Sequence, residues 1–127
     1  MDLNLTLIVT LDKGVTVFTN KEYREEELVG RYLENTPNKL GRKVSDELWE
    51  SDILGRFCNH SEHPNTSLIK TETGYDLYAN KSIEIGDEIT VSYYAVEFKL
   101  NIPRGTYISP SFVNRDYKKF GKVICEY

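Results

Sequence analysis

The chain has 127 residues, which is enough for one domain with a modest core and too few for two. It carries 16 Lys and Arg against 20 Asp and Glu, a net charge of −4. This balance argues against direct binding to nucleic acid or to an anionic membrane, and it suits a basic protein or peptide partner. With two cysteines and no recognisable secretory leader, we expect an intracellular protein without a disulfide framework.

The first nineteen residues contain two runs typical of β-strands. Leu5, Leu7 and Val9 share one face, and the polar residues Asn4, Thr6 and Thr10 share the other. This is the period expected of a half-buried strand. The turn-forming residues 12–14 follow, and the run from Val15 to Thr19 is again β-prone. Residues 3–19 therefore predict a hairpin.

The rest of the chain predicts more short strands and one weak helix. The strands are expected at residues 25–33, 66–70, 75–79 and 88–93, with a loop at 35–43. Ser45 is a plausible N-cap for a short amphipathic helix that contains Leu48 and Trp49 and ends near Gly55. These elements indicate a mainly β domain.

Four segments then carry a resemblance to one family. Residues 56–65, Arg-Phe-Cys-Asn-His-Ser-Glu-His-Pro-Asn, and residues 86–93, Gly-Asp-Glu-Ile-Thr-Val-Ser-Tyr, resemble the two signature motifs of SET-domain protein lysine methyltransferases. Residues 13–18 and 28–32 resemble the motifs that precede them. The four segments occur in family order within residues 12–94.

The resemblance implies a fold of small curved β-sheets with a pseudoknot and one or two short helices. In the pseudoknot the last strand threads under a loop beside the Asn-His-Ser segment, an arrangement that is rare in proteins. The SET domain would span residues 1–127, with residues 95–127 as a C-terminal tail that caps the site. The size is similar to that of minimal virus-encoded or bacterial SET proteins, which implies the cytoplasm or a host nucleus.

The same resemblance assigns candidate site residues and a cofactor, S-adenosylmethionine. Tyr93 matches the catalytic tyrosine that ends the second signature. Tyr32 matches a tyrosine of the lysine channel, although packing between strands would explain it equally well. The candidate cofactor-binding residues are Lys13, Gly14, Val15, Thr16, Arg56, Phe57, Asn59 and His60.

Methyl transfer to lysine requires little acid–base chemistry from the protein. The ε-amine must be neutral, and an apolar channel beside a sulfonium lowers its pKa from the usual value of about 10.4. The protein then aligns the reactants and excludes water. The implied substrate is a basic, extended segment of a histone or another protein.

A metal site is an alternative interpretation of the cluster Cys58, His60, Glu62 and His63. A structural zinc site usually draws four ligands from two separated pairs, and only one cluster is present, so no metal is expected. Cys58 is better interpreted as a small buried hydrophobe.

Three further points stay open at the level of sequence. Thr16 replaces a family glycine and Glu62 a frequent cysteine, which would fit a non-catalytic SET-like module that binds a peptide or partner protein. A β-barrel that binds nucleic acid is disfavoured, because only residues 115–122 approach a basic stripe. The sequence is also compatible with a homodimer. The tail aromatics could cap the cofactor or simply fill the core: Tyr107, Phe112, Tyr117 and Phe120.

Overall fold

The computed structural model describes residues 4–10, 14–104, 107 and 123–125. Its ten strands are β1 (Leu5–Thr10), β2 (Gly14–Thr19), β3 (Leu28–Glu34), β4 (Lys43–Ser45), β5 (Leu48–Glu50), β6 (Asn59–His60), β7 (Thr66–Thr71), β8 (Gly74–Ala79), β9 (Thr90–Val91) and β10 (Val123–Cys125). Two helices are described, α1 (Leu54–Phe57) and α2 (Tyr93–Leu100). The strands form three sheets, in the orders β10-β1-β2, β4-β5-β3-β8-β7 and β6-β9. The mainly β fold with short helices is confirmed.

The predicted N-terminal hairpin is confirmed. Strands β1 and β2 are antiparallel, with Leu5 opposite Thr19 and Thr10 opposite Gly14. The alternating residues Leu5 and Leu7 are buried, as expected of the core face. Thr6 on the other face is also buried, where its hydroxyl donates to the Asn20 side chain at 2.8 Å. This hairpin is therefore partly covered on both faces.

The helix predicted after Ser45 is wrong. Residues 43–50 form the hairpin β4–β5, and helix α1 begins only at Leu54. The reason is tertiary pairing: β5 is antiparallel to β3, with Leu33 opposite Glu50. Glu50 is fully buried, and its carboxylate accepts from the Arg42 backbone N–H at 2.8 Å and lies 3.3 Å from the Arg42 guanidinium. Sheet pairing and this ion pair outweigh the local preference for a helix.

Helix α1 lies between two sheets, in contact with β2, β3 and β5. The contact is close at Gly55, where a Cβ would lie 2.3 Å from the Tyr32 carbonyl oxygen and 2.9 Å from the Glu50 Cα. Both are backbone atoms, so neither can move alone. The absence of a side chain at Gly55 thus sets the distance between α1 and the five-stranded sheet.

We expect Gly55→Ala to destabilise the protein by about 3 kcal/mol or more, because overpacking against backbone cannot be relieved by a rotamer change. Helix propensity alone would predict a gain of up to about 1 kcal/mol. Gly30→Ala is the matched control, since the nearest atom to its Cβ is the mobile end of Leu54, at 2.9 Å. Urea unfolding measures both, and equal losses for the two variants would contradict this account.

The segments of the two signature motifs cross in the centre of the fold. Strands β6 and β9 are parallel, with Asn59 opposite Thr90 and His60 opposite Val91. Just before β9, the Ile89 N–H donates to the Val17 carbonyl of β2 at 2.8 Å. Residues 88–91 therefore lie between β2 and the loop that contains β6, which is the crossing that the resemblance predicted.

The strand predicted at residues 88–93 is shorter than expected. Only Thr90 and Val91 are in β9, and Tyr93 already begins helix α2, whose N-cap Ser92 accepts a hydrogen bond from the Ala95 N–H at 3.2 Å. The β-prone composition concealed this serine cap. The predicted strands at 66–70 and 75–79 are confirmed as β7 and β8.

The core is formed by buried side chains from strands β1, β2, β3, β7, β8 and β9, from both helices and from the segments that connect them. The most buried members include Leu7, Val15, Val17, Tyr32, Leu33, Leu77, Ile83, Ile89, Val91 and Val96. Within the described ranges, no helix has the length and apolar character needed to cross a membrane.

Candidate active site

The crossing is held from a second side by one asparagine. The Asn65 side-chain amide donates to the Glu88 carbonyl at 2.8 Å, and its oxygen accepts from the Thr90 N–H at 2.9 Å. The Thr66 hydroxyl adds a bond to the Thr90 carbonyl at 2.6 Å. On the opposite side the Ser61 N–H donates to the Val91 carbonyl at 3.0 Å. Residues 59–66 thus enclose β9, which fixes the chain just before Tyr93.

Tyr93 is fixed at both its backbone and its side chain. Its hydroxyl donates to the Cys58 carbonyl at 2.8 Å, and its N–H donates to Nδ1 of His60 at 2.9 Å. The phenol is 8% exposed, so it is nearly closed to solvent. Because Nδ1 accepts, the proton of the neutral His60 ring is on Nε2. The two signature motifs therefore meet at Tyr93, as predicted.

Three tyrosines pack together at this point. The hydroxyls of Tyr32 and Tyr107 are 2.9 Å apart and share one hydrogen bond, and the Tyr107 ring meets the Tyr93 ring edge-on at 5.1 Å. Burial raises the pKa of the Tyr32 phenol well above its usual value, and burial raises that of Tyr107 too. The Tyr32 and Tyr107 phenols are thus favoured in their neutral form, and the cluster is aromatic and buried, with hydroxyl oxygens inside it.

Burial also raises the pKa of the Cys58 thiol, with the negative charge of Glu88 acting in the same direction. The thiol donates to the Ile89 carbonyl at 3.3 Å and is 3% exposed. The prediction that Cys58 is a small buried hydrophobe is confirmed. Its neighbour in the metal hypothesis, His60, uses Nδ1 to accept the Tyr93 N–H.

These raised pKa values predict a loss of stability at alkaline pH. The unfolded chain releases the proton of Cys58 near pH 9.0 and those of Tyr32 and Tyr107 near pH 10.0, whereas the folded chain retains them to higher pH. The contribution of these three groups to the free energy of unfolding should therefore be constant below about pH 9 and fall above it, by about 1.4 kcal/mol per pH unit for each group.

Urea midpoints measured from pH 8 to 11 test this expectation. Tyr32→Phe and Cys58→Ala should each make the fall less steep, by the contribution of about one proton. An unchanged slope in a variant that lacks both Tyr32 and Cys58 would show that these groups do not titrate as their burial implies.

Several of the candidate cofactor residues lie close together where β6 meets β2. The Asn59 side-chain amide donates to the Val15 carbonyl at 3.2 Å and to a Glu88 carboxylate oxygen at 3.1 Å. This joins β6 directly to the run Gly14, Val15 and Thr16 in β2. The Thr16 hydroxyl donates to the Ile8 carbonyl at 3.0 Å, so its side chain is bonded within the hairpin.

The remaining candidates differ in how closely they approach this point. Arg56 and Phe57 are buried in α1, with the guanidinium 4.9 Å from the Phe57 ring, and they directly precede Cys58. Lys13 lies outside the described residues. The predicted aromatic cap is described at Tyr107 alone, because Phe112, Tyr117 and Phe120 also lie outside them.

Sequence reasoning missed three residues that support the site. Asn65 was recognised as part of a motif but given no role, and nothing marked Glu88 as the partner of Asn59. Glu97 is buried at 3% exposure and accepts the Tyr107 N–H at 2.9 Å. A glutamate in the middle of a short helix carries no sequence signal for such a bond.

A sequence model of the SET domain matches residues 6–94 of this chain, which include both signature segments, all of strands β2 to β9 and most of β1. The chain belongs to the SET-domain family. The search of curated proteins found no match to the chain.

Solved structures with the same fold agree with the assignment of this SET domain. One is a Plasmodium falciparum protein named as a histone methyltransferase: it has a TM-score of 0.50 and 17% sequence identity, and the match covers 73% of this chain and 95% of that one. Another is KRYPTONITE, solved with mCHH DNA, an H3(1–15) peptide and SAH, with a TM-score of 0.51 and 20% identity over 73% of this chain. The match covers 24% of KRYPTONITE, about a quarter of its length.

At these identities the two structures establish the fold. Membership of the SET-domain family supports a methyltransferase-like function.

Proposed function

We propose that this SET domain is an S-adenosylmethionine-dependent protein lysine methyltransferase. The observation that carries the proposal is the position of Tyr93. Its hydroxyl is bonded to the Cys58 carbonyl, its N–H to His60, and its ring packs on Tyr107. Tyr93 is thus fixed at its hydroxyl and at its backbone, beside a buried aromatic cluster. Such a residue is suited to orienting the reactants of a methyl transfer, which needs no acid–base pair from the protein.

The chemistry of the surrounding groups fits a cationic cofactor. Carbonyl and phenol oxygens and aromatic faces, all at Cys58, Tyr93 and Tyr107, favour a sulfonium over an anion. Asn59, His60 and the backbone of Gly14 to Thr16 would hold the cofactor, because the bond from Asn59 to Val15 brings these segments together. The bound cofactor supplies an electrophilic methyl group.

The residues of this chain would prepare the amine. A lysine ε-amine among the buried rings of Tyr32, Tyr93 and Tyr107 loses hydration, which favours its neutral form. The Tyr32–Tyr107 hydroxyl pair offers oxygen acceptors for the amine hydrogens, and the Tyr93 hydroxyl, fixed by the Cys58 carbonyl, limits the direction from which the nitrogen approaches.

An extended basic segment of a histone or another protein is the proposed substrate. Strand β4 is at the edge of the described sheet and begins next to Arg42, whose guanidinium lies 5.6 Å from the Tyr107 ring. A segment that paired with β4 would therefore pass beside the tyrosine cluster. A cleft of about 510 Å³ beside the β4–β5 turn is lined in part by Asp46 and Glu47, charges that suit a basic chain.

The alternative of a non-catalytic module is not favoured. It was motivated partly by Thr16, but that side chain is bonded within the hairpin and 1% exposed, so it takes up little of the surface that a ligand would meet. The H3(1–15) peptide and SAH in the KRYPTONITE structure also support a peptide substrate and a cofactor of this class.

Two measurements test the proposal. Incubation with methyl-labelled S-adenosylmethionine and a panel of basic proteins, including histones, should label lysine side chains. Calorimetry should detect binding of the cofactor in the absence of substrate. Binding without transfer to any protein would favour the non-catalytic module, and the absence of both would refute the proposal.

A further inference from the structure

Glu97 is an unusual residue for the buried face of α2. It is 3% exposed, next to the fully buried Val96. One carboxylate oxygen accepts the Tyr107 N–H at 2.9 Å, and the other has no hydrogen-bond partner among the residues that the structure describes. Burial of a carboxylate is unfavourable unless its bonds compensate, so an apolar residue would serve packing better here. The Tyr107 bond is the feature that an apolar residue could not provide.

The backbone of Glu97 holds the same part of the chain. Helix α2 ends at Leu100, and the next residue, Asn101, is its C-cap with a left-handed φ of 56°. The Ile102 N–H then donates to the Glu97 carbonyl at 3.0 Å. Pro103 follows, which prevents further helix. Glu97 therefore contacts the chain at residue 102 through its carbonyl and at residue 107 through its side chain.

Tyr107 brings this constraint into the candidate active site. It is 4% exposed, its hydroxyl is 2.9 Å from that of Tyr32, and its ring is 5.1 Å from that of Tyr93. The hydrogen bond to the Tyr107 N–H fixes the backbone from which this side chain extends. Less conformational entropy is then lost when the phenol contacts Tyr32.

We propose that Glu97 is a positioning residue: its carboxylate fixes the Tyr107 backbone and thereby places the Tyr107 phenol against Tyr32 and Tyr93. The kinetic consequence rests on the proposed methyltransferase function, whereas the structural link does not.

Hydrogen exchange at the Tyr107 amide tests the link without any activity. In Glu97→Leu the amide loses its acceptor, and its protection should fall by about tenfold, the scale of one lost hydrogen bond. Glu97→Gln keeps an oxygen at the same reach and should stay within about threefold of the parent. Glu84→Gln, on an exposed turn, is the control and should leave the amide unchanged.

The kinetic arm separates positioning from general destabilisation. Glu97→Leu should lower kcat for lysine methylation by about tenfold with little change in the KM for the cofactor. Glu97→Gln should keep most of the parental kcat, because it retains an oxygen that can accept the Tyr107 N–H. In the background of Tyr107→Phe the leucine substitution should have a smaller effect, because both changes act on one contact.

Three results would overturn the inference. They are normal Tyr107 protection in Glu97→Leu, equal kinetic losses in the glutamine and leucine variants, and full additivity with Tyr107→Phe. If Glu97→Leu does not fold, Glu97→Asp decides, since the shorter side chain should lose the bond and lower the protection. Absence of methylation by the parent would refute the proposed function alone, because the exchange experiment would still test the link.

Discussion

Tyr93→Phe should lower the rate of lysine methylation by about 100-fold or more, the scale seen when one preorganised polar group is removed from a reaction site. The hydroxyl is bonded to the Cys58 carbonyl at 2.8 Å and cannot be replaced by solvent, since the side chain is 8% exposed. The phenyl ring should still pack on Tyr107. Cofactor affinity, measured by calorimetry, should therefore change much less than kcat.

The substitution also has a stability cost that must be measured separately. It leaves the buried Cys58 carbonyl without its donor, which costs about 1–3 kcal/mol. Thermal unfolding gives this loss, and rates are then compared well below the midpoint of the variant. Tyr78→Phe is the matched control for removal of a hydroxyl. A Tyr93→Phe protein that is folded, binds cofactor and methylates at the parental rate would remove Tyr93 from the mechanism.

Asn65→Ala should have the largest effect on stability of the polar substitutions considered, about 2–4 kcal/mol. Its side chain bonds both the Glu88 carbonyl and the Thr90 N–H, on the two sides of one buried residue, Ile89. Alanine removes the bond that Asn65 makes to each of these two backbone groups. Because β9 then loses one of its supports, cofactor binding should weaken together with stability.

Asn65→Asp and Asn80→Ala complete the test. Aspartate can still accept from the Thr90 N–H but places a negative charge against the Glu88 carbonyl, so it should also destabilise. Asn80 makes an exposed bond to the Pro64 carbonyl at 3.0 Å, and its removal should change stability by about 0.5 kcal/mol or less. Urea unfolding compares all three, and similar midpoints for Asn65→Ala and Asn80→Ala would contradict the role of Asn65.

Local patterns were sufficient for two of the hairpins of this fold. Strands β1 and β2, and later β7 and β8, were predictable because alternation and turn residues are encoded within a few positions of each other. The hairpin at residues 43–50 was not, since it depends on the pairing of β5 with β3 and on burial of Glu50. A capping serine and short amphipathic spacing indicated a helix that the sheet prevents.

The site was predictable by resemblance and not by local physics. Strands β6 and β9 have two residues each, and their parallel pairing between distant segments leaves no periodic signal. The motifs led to Tyr93, Asn59 and His60, but they did not reveal the individual bonds between the segments, such as those of Asn59 to Glu88 and of the Tyr93 hydroxyl to the Cys58 carbonyl. Glu97 and Asn65 became recognisable only through the atoms that they contact.

The position of residues 88–91 between β2 and the loop at 59–66 also determines how this protein unfolds. These residues contribute to the support of both Asn59 and Tyr93, so separating them from either neighbour releases the other as well. Gradual denaturation should therefore abolish ligand binding and catalytic competence in a single cooperative step, and amides at Ile89 and Val91 should exchange together. We therefore expect no stable half-assembled form that retains one motif and lacks the other.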